Sequence, residues 1–221
     1  NGTNGSPGDH ATRPPMSTKP VRWGLVGASN IAATRVIPAI RAVGGEVVSV
    51  MSSDAARAGD YAAAHSIPDA TASLDALLGG DIDAVYISMP NSLHHEWTIK
   101  SLRAGKHVLC EKPFALTARQ AKEMFDAAKK AGKVLVEAFM YRSHPLTLAV
   151  IDSLRGGEIG ELRLIRTSFC YKTSRVDGNV RFDKKLGGGG LMDVGCYCVN
   201  LTRLFAGEEP NEIHASAHLH E

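Results

Sequence analysis

Strand-length apolar runs alternate with helical patterns through the first two thirds of this chain, and that alternation restricts its fold more than any other feature. The runs are Val21 to Val26, Glu46 to Met51, Ala84 to Ser88, His107 to Glu111 and Val134 to Val136. Between them lie helical stretches with readable ends. The first starts near Ile31, is interrupted at Pro38, where a kink or a fresh start is expected, and stops at Gly44-Gly45. Ser53 or Asp54 can cap the second, which runs toward His65. A short helix is expected over Leu74 to Leu78, and another over His94 to Ala104, closed by Gly105. Thr117 caps one more, which places Ala121, Met124, Phe125 and Ala128 on one face and ends at Ala131-Gly132. The connections are too short for anything but crossovers, so the pattern specifies a parallel sheet with helices on both faces.

Near Tyr141 the rhythm changes. Pro145 to Leu154 reads as a helix, Leu162 to Tyr171 as a long strand, Leu191 to Leu204 as a helix and the vicinity of Ile213 as a strand. A polar loop and four consecutive glycines, Gly187 to Gly190, separate the middle two. The expected organisation is a disordered leader over 1–20, rich in Gly, Pro, Ser, Thr and Asn, then an α/β domain over 21–141. Residues 142–221 would begin an α+β domain whose open, mostly antiparallel sheet is incomplete within this chain.

Composition excludes several classes. Apolar residues make up 44% of the 221, enough to bury a core. Lys and Arg number 25 against 23 Asp and Glu, and no basic run stands out, which argues against nucleic acid as the partner. No apolar stretch is long enough to span a bilayer. Cys110, Cys170, Cys196 and Cys198 are too few and too scattered for a disulfide framework, and no His/Cys cluster has zinc spacing, so no metal is expected. Reduced thiols in a cytoplasmic protein are the reading.

Three stretches carry chemistry. Gly27-Ala28-Ser29-Asn30-Ile31-Ala32 stands at the first strand-to-helix turn, in the place of G-x-G-x-x-G, with Ser29 and Ala32 at the second and third glycines. Gly27 permits the tight turn, and backbone N–H groups at the helix start suit a pyrophosphate. At the end of the second strand, where an acidic residue would bind a ribose 2′-hydroxyl, stand Ser52 and Ser53, with Arg57 one turn on. Two hydroxyls and a guanidinium suit a 2′-phosphate, so NADP(H) is the expected cofactor, with Asp54 leaving NAD open. In Glu111-Lys112-Pro113 a strand delivers an amine to the sheet edge where ligands of parallel sheets sit.

Together with Ser88-Met89-Pro90-Asn91-Ser92-Leu93-His94, these motifs resemble those of the Gfo/Idh/MocA oxidoreductases over residues 21 to 221. Arg22-Trp23-Gly24 through Ser52-Ser53 is similar to the 1,5-anhydro-fructose reductases. Glu137 to Pro145 and Gly188 to Tyr197 look more like the NADP-dependent D-xylose and dihydrodiol dehydrogenases. The resemblance implies a Rossmann doubly wound sheet followed by the α+β substrate domain. It also implies hydride transfer between NADP(H) and a sugar, polyol or diol, and a homo-oligomer assembled through the C-terminal sheet. It places Gly27 to Ile31, Ser52, Ser53, Arg57, Met89, Asn91, His94, Glu111 and Arg181 beside the cofactor, and Lys112 between cofactor and chemistry. Many relatives carry histidine where this chain has Tyr197. Asp193 and Tyr197 are four apart, so on a helix they share a face. A phenol near ~10 would need a neighbouring ammonium to lower it, and the expected mechanism has Lys112 do so, with Asp193 orienting the pair. The rival reading is an NADP-binding regulatory protein without turnover.

Overall fold

A computed structural model describes residues 19–217. The leader expected over 1–20 therefore lies, apart from Lys19 and Pro20, outside the described residues. The expected alternation is present: β1 (Arg22–Val26), α1 (Ile37–Ala42), β2 (Glu46–Met51), α2 (Ala55–His65), β3 (Asp69–Thr71), α3 (Leu74–Gly79), β4 (Ala84–Ile87), α4 (Asn91–Arg103), β5 (His107–Cys110), α5 (Ala118–Ala131) and β6 (Leu135–Glu137). The strands form one sheet in the order β3-β2-β1-β4-β5-β6, and every neighbouring pair is parallel.

Period-2 alternation assigns the core to the two faces of this sheet. Leu25, Val50 and Tyr86 point to one face and meet Ile37, Ile40 and Ala62. Val26, Val85, Ile87, Val108 and Cys110 belong to the cluster with Leu74, Leu77, Leu78, Leu102, Met124 and Ala128 on the helices. Burying one such aliphatic side chain stabilises the fold by about 1.5–3 kcal/mol, and two filled faces hold the sheet flat against its helices. Its register then lines up the strand ends. Val26 stands abreast of Met51 and Ile87, Ile87 of Cys110, and Cys110 of Glu137. Residues 27, 52, 88, 111 and 138 thus leave the sheet along one line.

Several local details differ from expectation. Pro38 does mark a fresh start: the chain enters the helical segment as a wide π turn over Ala32–Val36, and α1 follows with Pro38 in its first turn, where a missing N–H costs little. Asp54, not Ser53, caps α2 by accepting the Arg57 N–H. The three-residue β3 was not foreseen; Asp69-Ala70-Thr71 is too short and polar to read as a strand, and its pairing with β2 creates it. α4 begins at Asn91, three residues before the expected start.

Past β6, a 3-10 turn (Met140–Ser143) leads into α6 (Pro145–Arg155), and α7 (Cys196–Ala206) follows a second π turn over Leu191–Gly195. The strands expected at Leu162 to Tyr171 and near Ile213 are not formed, and no second sheet exists among the described residues. The physical reason is that a strand is defined by its ladder, and these segments have no described neighbour to hydrogen-bond.

Candidate active site

The crevice opens where the strand order reverses, between β1 and β4, which is where open α/β sheets bind ligands. Gly27 leaves β1 with φ +116°. A Cβ there would stand 3.0 Å from both Met89 Sδ and Ser88 Oγ in a left-handed backbone, so the turn admits only glycine. Ser29 does not offer its hydroxyl to the crevice. That hydroxyl donates to Ser88 Oγ (2.8 Å) and accepts the Ala32 N–H (3.2 Å), which caps the helical segment and ties the turn to the end of β4. Ala28 is buried, while Asn30 and Ile31 are exposed on the first turn beyond it.

Arg57 reaches back from α2 and donates to the Ala28 carbonyl at 2.9 Å, so the guanidinium lies against the turn. Ser53 is exposed beside it, whereas Ser52 is buried with its hydroxyl accepting from the Asp54 N–H. Asp54, the one carboxylate at this strand end, is engaged in capping α2. Tyr61, unmarked in the sequence reading, donates from its hydroxyl to the Ser29 carbonyl (2.8 Å), and burial pushes its phenol up.

On the other side of the crevice the Glu-Lys-Pro loop is held at each residue. Tyr86 donates to Glu111 Oε1 (2.7 Å), and the Lys112 N–H donates to Glu111 Oε2 (3.2 Å). Burial, reinforced by the Glu111 carboxylate, raises the Tyr86 phenol far above its ordinary value, so it is a donor. The Phe114 N–H donates to Glu137 Oε1 (2.9 Å), and burial raises that carboxyl. His94 is fully buried below this loop, and its Nδ1 and Nε2 lie 2.9 Å from the Pro113 and Met89 carbonyl oxygens. It does not face the crevice as expected of a residue beside the cofactor. Met89 lies over Gly27, and Asn91 donates to the Gly187 carbonyl at 2.8 Å.

The glycine run brings the later segments to Lys112. A Cβ on Gly187 would meet Leu116 Cδ2 at 2.4 Å, and one on Gly188 would meet the Arg181 carbonyl oxygen at 2.6 Å. With that space open, Gly189 N–H bonds the Arg181 carbonyl, and Arg181 is delivered to Asp193. Asp193 is the hub. Its Oδ1 lies 3.4 Å from Lys112 Nζ and 3.2 Å from Arg181 Nε, its Oδ2 accepts from Tyr171, and its carbonyl accepts from Lys112 Nζ at 2.5 Å. Burial opposes ionisation of Asp193, but the Tyr171 hydrogen bond with Lys112 and Arg181 outweighs it, so the carboxyl is held below its ordinary range. Arg181, expected over the cofactor, reaches the same cluster as Lys112.

Tyr197 meets Lys112 differently from the expected mechanism. The ammonium stands 5.1 Å from the ring centroid, over its face, while the phenol points to Met140 Sδ at 3.7 Å. The ring packs among Phe139, Tyr141 and Phe169. Burial, then the carboxyl of Glu111 and further neighbours, pushes the phenol up to about 12, not down. A cation over a ring is attracted to its π face, and here it makes no hydrogen bond to the hydroxyl, which points to Met140. Tyr197 is therefore a protonated donor at neutral pH.

Two surface grooves of about 340 and 630 Å³ lie beside α3, α4 and α5, lined by Asp75, Lys100 and Arg103 and by Leu102, Glu123 and Lys130. They flank the opposite, amino end of the strands and are remote from this chemistry. Among the described residues no cluster of His, Cys, Asp and Glu could hold a metal ion, and no helix is long and apolar enough to cross a membrane.

A sequence profile described as "Oxidoreductase family, NAD-binding Rossmann fold" matches residues 21–139, and one for the GFO/IDH/MocA C-terminal domain matches 147–221. The chain belongs to the Gfo/Idh/MocA oxidoreductase family. Among its relatives in that family, a D-xylose 1-dehydrogenase (NADP(+)) of Haloferax volcanii is 40% identical over 195 residues, 88% of this chain and 59% of the relative. A 1,5-anhydro-D-fructose reductase of Ensifer adhaerens is 41% identical over 199 residues, 89% and 60% of the two chains. Among solved structures, a 3-ketoreductase from Actinomadura kijaniata in complex with NADP and TDP-benzene superposes with a TM-score of 0.76 at 36% identity, covering 85% of this chain and 58% of that one. The chain thus spans about three fifths of the length of the curated relatives it matches. The family and the branch are those the motifs resembled, and the Rossmann sheet is the one expected.

Proposed function

We propose that this chain is the cofactor-binding and catalytic part of an NADP(H)-dependent oxidoreductase that interconverts a carbonyl and a hydroxyl on a sugar, polyol or diol. The observation that carries this reading is Lys112: at the carboxyl end of β5, next to β4, its amine is held by the Asp193 carbonyl and carboxylate. The cradle fits a dinucleotide, since Gly27 leaves no room for a side chain where the pyrophosphate would approach. Ser53 and Arg57 are exposed at the end of β2 while Asp54 is committed to its cap, which supports a 2′-phosphate over a bare ribose. A relative named as an NADP(+)-dependent D-xylose 1-dehydrogenase and a 3-ketoreductase solved with NADP are in line with this assignment.

When bound, the nicotinamide supplies or accepts the hydride at the carbinol carbon. The residues of this chain handle the proton. In the reducing direction Lys112 donates to the carbonyl oxygen, and Tyr197, protonated and packed in the aromatic wall, orients that oxygen. Asp193 keeps the Lys112 amine aimed, and Arg181 with Tyr171 fixes Asp193. Met89 and Asn91 border the nicotinamide half.

The chain divides near residues 141–145 into a Rossmann domain and the start of an α+β domain. Leu162 to Tyr171 and the vicinity of Ile213, unpaired among the described residues, would supply strands to an antiparallel sheet once other segments pair with them. Exposed Leu164, Phe169 and Ile213 support a sheet that other chain segments complete, and a homo-oligomer through that surface. The four unpaired cysteines support a reducing, cytoplasmic location.

The test is titration with NADPH by fluorescence, followed by assays with aldoses, anhydro-sugars and diols, in the wild type and Lys112→Met. Binding retained with turnover abolished is the expected result. A variant that keeps most of its rate would remove Lys112 from the chemistry, and binding without turnover of any carbonyl or polyol would favour a sensor.

A further inference from the structure

His94 is fully buried, yet both of its ring nitrogens face backbone carbonyls at 2.9 Å, those of Pro113 and Met89. These carbonyls belong to the two loops that frame the crevice. Pro113 directly follows Lys112, and Met89 ends the β4 segment that touches Gly27. Burial lowers the imidazole from its ordinary value against the pull of the two carbonyls and Glu111, while Lys112 adds to the lowering. A neutral imidazole has one N–H. One proton therefore serves two acceptors, and a buried carbonyl left without a donor is costly.

The two carbonyls are not equivalent. Met89 precedes Pro90 at the start of α4, where the positive end of the helix dipole favours an electron-rich oxygen. Pro113 lies in the loop between β5 and α5 and takes no part in a helix start. We infer that His94 is a positioning residue whose proton resides on Nδ1, donated to the Pro113 carbonyl, and that this bond sets the direction in which Lys112 leaves the sheet. His94 acts through Lys112 and touches neither substrate nor cofactor. The inference rests on the proposed role of Lys112 for its functional consequence but not for its geometry.

The decisive measurement needs neither cofactor nor turnover. Nitrogen-15 NMR of the wild-type chain reports which ring nitrogen of His94 is protonated. A proton on Nδ1 is expected, and a bare Nδ1 with the proton on Nε2 overturns the inference. Two variants extend the test, because an asparagine amide stands in for Nδ1 and a glutamine amide for Nε2. The Lys112 side-chain carbon signal, assigned by its disappearance in Lys112→Met, should stay in place in His94→Asn and move toward that of solvent-exposed lysines in His94→Gln. In the enzyme, His94→Gln should lose kcat about tenfold, the worth of one hydrogen bond, with KM for NADPH unchanged. His94→Asn should keep kcat. Equal behaviour of the two folded variants overturns the inference, and if neither folds, the wild-type ring spectrum decides alone. A wild type that neither binds NADPH nor turns over would refute the proposed function while leaving the ring and lysine signals to judge His94.

Discussion

Gly188 and Gly190 sit two residues apart in the same glycine run and are expected to answer alanine with opposite signs. At Gly188 the added Cβ would lie 2.6 Å from the Arg181 carbonyl oxygen and 2.8 Å from both the Arg181 carbonyl carbon and the Val180 carbonyl oxygen. All three are backbone atoms, so no side-chain rotation relieves the clash, and the 180–183 loop must move. Overpacking of this kind costs about 1–3 kcal/mol, or roughly 2–12 °C in Tm for a chain of this size. The displaced loop carries Arg181, so the Arg181–Asp193 contact at 3.2 Å should open and NADPH-linked turnover should fall with stability. At Gly190 the backbone is already helical (φ −57°), and nothing lies within 4 Å of a new Cβ. Alanine there narrows the unfolded ensemble and should stabilise by about 0.4–1 kcal/mol. Differential scanning calorimetry of both variants, with turnover measured in parallel, tests the pair. An unchanged Tm and rate in Gly188→Ala would show that the close approach to residue 181 is not why glycine occupies that position.

Other consequences are equally direct. Arg57→Gln should weaken NADPH about tenfold or more, the worth of a charge-assisted bond, and leave NADH affinity nearly unchanged; parallel fluorescence titrations compare the two cofactors. His107 Nδ1 accepts the Val134 N–H at 2.9 Å, and burial, then Lys133, lowers its imidazole below 6.5, so between the folded value and 6.5 the unfolded chain binds more protons. Stability from this group is thus full above 6.5 and lost as pH falls below it, and the urea midpoint should decline less steeply from pH 7.5 to 5.5 in His107→Gln than in the wild type. Tyr86→Phe removes the donor to Glu111 Oε1 from a fully buried position and should cost about 1–3 kcal/mol in chemical denaturation.

Most of the Rossmann sheet was legible because its strands other than β3 contain apolar runs, and because α2 and α5 carry their own caps. β3 was not, since Asp69-Ala70-Thr71 becomes a strand only beside β2. Leu162 to Tyr171 illustrates the converse: a fitting composition does not form a strand without a ladder. The site divides the same way. Gly27, Arg57, Lys112 and Asp193 were marked from type and position, because turn strain and charge are local properties. Tyr86, Ser88, Glu137 and Tyr171 were missed, because their roles depend on register. Tyr86 pairs with Leu109 across the sheet, which brings Glu111 within reach of its hydroxyl, and no spacing within either strand reveals that. The acid at the end of β6 was a usable signal for Glu137, since a carboxylate at that edge stands beside the loop leaving β5. Tyr197 was marked by its spacing from Asp193, but its protonation depends on which part of the ring Lys112 approaches, and that is fixed only in three dimensions.

Lys112 is anchored at its two ends to different parts of the chain. Its backbone loop is held by Tyr86, His94 and Glu137, all before residue 141, and its amine by Asp193 from beyond the glycine run. Local unfolding should separate these ends. Amide protons of the loop, such as that of Phe114, should exchange with solvent only when the whole sheet opens, whereas those around Asp193 should exchange through a cheaper, partial opening that leaves the sheet intact. In that partially opened state the amine would swing free on a loop still in place, and the exchange rate at the Asp193 end would measure how often that anchor lets go.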